Sequence, residues 1–124
     1  MEVNNSKIIF IDITSFNTQD DCNMIINTMK QFYNTKTCFK LILETKDLTV
    51  DKISLQSVYQ LSVSLNSFKK HKIQYLKKTT INIYNIYCYE LLYFLLTYLS
   101  KPLAQVEVIL YNSSNIEKIQ SFFP

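Results

Sequence analysis

Residues 41–85 read LILETKDLTVDKISLQSVYQLSVSLNSFKKHKIQYLKKTTINIYN. They open on a short apolar run ending at Glu44 and cross a polar stretch that holds Asp47 and Asp51. Residues 54–71 then place Leu55, Val58, Leu61, Leu65 and Phe68 at helical spacing, with Ser54 as a natural N-cap. A Lys-rich turn leads into residues 79–84 (TTINIY), a β-branched run. A strand, a helix and a second strand in that order predict two parallel strands joined by a right-handed crossover, with the helix laid on the sheet.

The same alternation extends outward in both directions. Upstream, residues 7–13 (KIIFIDI) read as a largely buried strand. Residues 17–34 follow as a helix, with Cys22, Ile25, Ile26, Met29, Phe32 and Tyr33 on one face and Thr18 and Asp21 as a partial capping box. Residues 38–44 (CFKLILE) form the second strand. Downstream, residues 86–100 read as a buried helix stopped by Pro102, and residues 105–111 (QVEVILY) as a fourth strand. Residues 116–123 read as a short final helix, and Glu2, Val3, Asn4 and Asn5 as a vestigial hairpin. The expectation is an α/β fold: a four- to five-stranded, mostly parallel mixed sheet with alternating helices, in a single domain spanning residues 1–124. No internal repeat or low-complexity segment is visible.

Two absences narrow the function. The chain of 124 residues has no Gly, and all 13 of its basic residues are Lys. Without Gly, the phosphate-cradling loops of P-loop and Rossmann type are excluded. Left-handed backbone positions are expected to fall to some of the eleven Asn. Without Arg, the planar fork that reads guanine or grips phosphate in bidentate fashion is missing, which disfavours sequence-specific DNA binding. The joint excess of Ile, Asn, Lys and Tyr points to coding by an AT-rich genome, of a virus or a microbe. A net charge of +3 is ordinary for a soluble domain. Cys22, Cys38 and Cys88, odd in number and each among apolar residues, read as reduced thiols in a core and hence a cytoplasmic setting. The first six residues lack the layout of a signal peptide, and the most apolar run, residues 86–99, is too short for a membrane span and contains Glu90.

Element order and hydrophobic register over residues 7–111 resemble the STAS domain, shared by anti-sigma factor antagonists and the cytoplasmic tails of sulfate transporters. Residues 41–85 carry the closest likeness: a strand ending in an acidic residue, a short loop, an Asp opening the next helix, and a Lys-rich turn into the following strand. The resemblance implies a regulatory module that docks a protein through the loop at residues 47–54 and the start of the following helix. Asp47, Thr49, Asp51, Lys52, Ser54 and Ser57 are the contact residues so implied. In the family a serine in an Asp-Ser-Ser-Gly-like motif is the phosphorylated switch. Here Asp51 fits, Lys52 or Ile53 stands at the switch position, and Ser54 falls where Gly is usual. Ser54 is therefore read as a helix cap, with phosphorylation as the alternative; added negative charge would be tolerated at a helix N-terminus.

Other residues suggest weaker alternatives. Lys69, Lys70, Lys72, Lys77 and Lys78, with His71 and Tyr75 among them, form a dense basic segment that could hold an anion. A solvated helix end explains it as well, so nucleic acid or an anionic membrane surface is a minority reading. Tyr84, Tyr87, Tyr89, Tyr93 and Tyr98 cluster around the third helix, where outward ones could line a protein or dimer surface. Catalysis is not expected: the single His, His71, has no nucleophile near it in sequence. Asp12, Glu44 and Asp47 at strand ends are the one acid–base set left open. No metal or cofactor is expected. Two further classes compete with the docking module. One is a self-assembling structural protein held by apolar helix surface. The other is a small-molecule or lipid-binding domain, which requires a sizeable apolar pocket.

Overall fold

The computed structural model describes residues 6–99, 101–112 and 115–124. The hairpin expected at residues 2–5 lies outside them. Five strands form one mixed sheet: β1 (Lys7–Asp12), β2 (Phe39–Glu44), β3 (Leu76–Ile83), β4 (Gln105–Asn112) and β5 (Asn115–Phe122), hydrogen-bonded in the order β1-β2-β3-β4-β5. The first four run parallel and β5 is antiparallel to β4. Between them lie helices α1 (Gln19–Asn34), α2 (Leu55–Asn66) and α3 (Ile86–Phe94), so the chain is α/β as its alternating pattern predicts.

Helix α1 forms as expected, and all six residues of its stripe are buried. Its capping box is complete: the Asp21 N–H donates to Thr18 Oγ1 at 3.3 Å, and the Thr18 N–H donates to Asp21 Oδ2 at 3.0 Å. The helix is capped at Thr35, and Lys36 follows with a φ of 54°, the one left-handed backbone among the described residues. The Thr37 N–H reaches back to the Phe32 carbonyl at 3.0 Å, closing the last turn in the way a C-terminal glycine usually allows. A lysine, and not one of the asparagines, takes that position.

Four boundaries differ from the sequence reading. Residues 116–123 are not a helix but most of β5; the outer edge of β4 carries a row of N–H and C=O groups, and pairing them outweighs a helix of barely two turns. Strand β3 begins at Leu76, so Lys77 and Lys78 belong to the sheet and not to a turn. Helix α2 tightens into a 3₁₀ turn at Ser67–Lys70, where Phe68 is buried with its ring 4.8 Å from that of Tyr33. Helix α3 widens into a π-helical turn at Leu95–Leu99, and only Cys88 and Tyr89 of α3 are fully buried. The reading of α3 as a buried helix is thus corrected: Ile86, Tyr87, Tyr93, Phe94 and Tyr98 are exposed along it and its extension.

Because the strand order never reverses, successive right-handed crossovers lay every helix on the same side of the sheet. The burial of the strands agrees. Leu41, Leu43, Thr79, Ile83, Val106, Val108 and Leu110 face the helices and are buried. The alternate residues, among them Ile8, Phe10, Lys40, Ile42, Thr80 and Ile109, face the other way, and none of these is buried. Cys22 and Cys88 lie in the core as expected, whereas Cys38 is half-buried.

Candidate functional site

The loop between β2 and α2 is held in place from three directions. Thr45, buried, donates its hydroxyl to the Asn82 carbonyl at 2.6 Å, tying the loop's start to β3. Leu48 is buried, and its carbonyl faces the Cys88 thiol of α3. At the far end, Phe16 and Ile53 form a parallel bridge: the Phe16 N–H donates to the Lys52 carbonyl at 2.7 Å, and the Ser54 N–H donates to the Phe16 carbonyl at 2.8 Å. Between these anchors Asp47, Thr49, Val50, Asp51 and Lys52 are exposed, the last three in a 3₁₀ turn. The Thr49 hydroxyl donates to the Asp51 carboxylate, and this bond holds that carboxyl below its ordinary range.

Ser54 caps α2: its Oγ accepts the Ser57 N–H at 3.3 Å. Ser57 is only 6% exposed, with its carbonyl accepting from the Cys22 thiol at 3.2 Å, so it serves the contact between α1 and α2 and is unavailable to a partner. That is a correction to its place among the contact residues. A second concerns Leu55, assigned by periodicity to the buried stripe. It is 63% exposed and aligns with Tyr59 (69%) and Val63 (52%) along the outer face of α2. Val58, Leu61 and Leu65 turn inward against the core. The exposed stripe begins where the acidic turn ends, a continuity that periodicity could not reveal because apolar residues occur on both faces of this helix.

The basic segment is spread over three elements. Lys69 and Lys70 lie in the 3₁₀ turn, Lys72 in the loop after it, and Lys77 and Lys78 on adjacent residues of β3. Lys77 falls at a bulge, where the register between β2 and β3 shifts, so the usual alternation of faces is interrupted there. Lys78 is engaged with Glu107 at 3.4 Å. His71 packs edge-on against Tyr33 and stacks near Phe68, with centroids at 5.0 and 6.1 Å. Among the described residues no Ser or Cys hydrogen-bonds to its ring.

Asp12 and Glu44 are register partners on neighbouring strands of the bare face. Glu44 accepts from Asn82 Nδ2 at 2.9 Å and from the Tyr84 hydroxyl. The Tyr84 hydroxyl is pushed up to about 12, chiefly by that bond to the carboxylate. Tyr84 also stacks on Tyr111, with centroids 5.1 Å apart. Asp47 stands apart in the exposed turn, so the three acids do not share one set of partners. Among the described residues no cluster of three or more His, Cys, Asp and Glu could hold a metal ion, and no helix is long and apolar enough to cross a membrane.

Two apolar cavities of about 140 and 180 Å³ lie over the middle of the sheet between α2 and α3. Both are lined by Leu43, Val58, Leu61, Ile81, Leu92 and Leu95, and Lys101 stands at the edge of the larger. No family model, curated protein or solved structure matches the chain.

Proposed function

We propose that this chain is a non-enzymatic protein-interaction module, working in the cytoplasm, that docks a partner through the turn at residues 47–54 and the outer face of α2. The observation that carries this reading is the exposed stripe of Leu55, Tyr59 and Val63, one helical face with apolar groups in water. Such a face suits a partner's groove or flat apolar surface, and the neighbouring Asp47, Asp51 and Lys52 supply polar contacts at its rim. A STAS-like regulatory role is part of the same reading. So is phosphorylation of Ser54, which would add charge where the N-terminus of α2 tolerates it.

The test is quantitative capture from the source cells with the full chain as bait. A partner recovered by the wild type should be lost, by at least about tenfold, with Leu55→Lys and Tyr59→Lys. It should be retained with Lys30→Ala on the exposed side of α1. Equal recovery by all baits would sink the proposal.

A second reading, an apolar-ligand carrier, is favoured by the cavities between α2 and α3. Well-packed interiors hold few voids larger than a water molecule, and partly open apolar pockets of this size suit a small apolar guest. Native mass spectrometry of protein from its own cells is expected to show an added mass of a small apolar molecule on this reading; a bare chain mass would reject it.

A further inference from the structure

The bare face of the sheet is patterned by charge along the strands. In register, Ile8, Lys40, Lys78 and Gln105 form a row at the amino-terminal end of the parallel strands; Phe10, Ile42, Thr80 and Glu107 form the middle row; Asp12, Glu44, Asn82 and Ile109 form the row at the carboxyl end. The lysines stand in the first row and two carboxylates in the third. Phe10, 71% exposed, and Ile42 put apolar surface between them. Lys40 and Asp12 are exposed and form no ion pair with another described residue.

We propose that this face pairs with the same face of a second copy of the chain, about a two-fold axis lying in the interface and running across the strands. Sheets made mainly of parallel strands are normally covered on both faces, and among the described residues helices cover only one. Charge selects the axis. An axis along the strands sets the lysine row of one copy against the lysine row of the other. An axis across the strands sets the lysine row against the acidic row, so that Lys40 faces Glu44 of the second copy with Asp12 beside it. Phe10 and Ile42, in the middle row, then meet their own equivalents, as a self-complementary two-fold interface requires. Glu107 shares that row and is neutralised by Lys78 of its own chain. The size is adequate: five strands about 4.8 Å apart and six residues long at about 3.3 Å each present roughly 24 by 20 Å. Two such patches bury on the order of 1,000 Å², the lower bound for a specific interface. This surface is distinct from the α2 stripe, so either assignment can fail without the other.

Analytical ultracentrifugation of the full chain across the micromolar range tests the pairing. The expected result is a reversible rise toward twice the 14.7 kDa chain mass. Phe10→Lys and Lys40→Glu should each raise the dimer dissociation constant about tenfold or more. Both side chains are exposed, so circular dichroism should show the fold unchanged. A monomer at every concentration overturns the proposal, as does a dimer that tolerates either substitution. A dimer lost with Tyr59→Lys but kept with Phe10→Lys would belong to the α2 surface and overturns it equally.

Discussion

Helices α1 and α2 look alike as sequence and do opposite work. Each has a capped N-terminus and an apolar stripe at helical spacing. Yet α1 buries Cys22, Ile25, Ile26, Met29, Phe32 and Tyr33, while α2 fully buries only Ser57 and turns Leu55, Tyr59 and Val63 to solvent. The difference lies in what each helix meets. The aromatic end of α1 interlocks with the sheet and with the turn after α2: Phe32 stacks on Phe39 with centroids 4.8 Å apart, and Tyr33 reaches Phe39, Phe68 and Tyr75. Helix α2 has α1 on one side and the apolar cavities on the other. Burial is concentrated on α1, and α2 leaves an apolar face in solvent.

Core truncations would break this contrast most directly. Met29→Ala, at a fully buried site, is expected to cost about 3 kcal/mol in urea unfolding, whereas Val63→Ala on the exposed face of α2 should shift stability by less than about 0.5 kcal/mol. Equal losses would mean that α2 is packed as tightly as α1. The caps give a smaller contrast. Thr18→Ala breaks the two-way box of α1 and should cost about 1 kcal/mol, against about 0.5 kcal/mol for Ser54→Ala at the one-way cap of α2.

The smallest effect is one of pH. Burial raises the Asp21 carboxyl, but hydrogen bonds from the Asn17 N–H, the Ser15 hydroxyl and Thr18 outweigh it, and the net shift is downward. Its folded value is thus below its unfolded one. The stabilisation is present in full above the ordinary carboxylate range and is lost as pH falls through the folded value. The stability difference between the wild type and Asp21→Asn should therefore shrink toward zero in acid; a gap independent of pH would remove the carboxylate from the cap.

Much of this architecture is legible in residue patterns. The apolar runs at residues 7–13 and 38–44 and the stripe of α1 are local signals, and they appear in the fold within a residue or two. The capping box is equally local, since Thr18 and Asp21 need only each other. Residues 116–123 misled because Ile116, Ile119 and Phe122 carry a helical spacing, and only the open edge of β4 makes them a strand. Lys36 could not be foreseen at the left-handed position, because nothing about a lysine announces it; the turn into β2 imposes it.

The candidate surfaces were harder to see. The exposed turn at residues 47–54 is visible from its polar residues alone, but Ser57 and Leu55 exchange their expected places because the phase of α2 is set by its contact with Cys22. Composition and periodicity were sufficient for the class of fold, since propensity and alternation act over a few neighbouring residues. Strand order, and with it the decision to leave one sheet face bare, depends on pairings between segments distant in the chain. Those pairings bring Lys40, Lys78, Asp12 and Glu44 onto one surface, and no local pattern encodes that meeting.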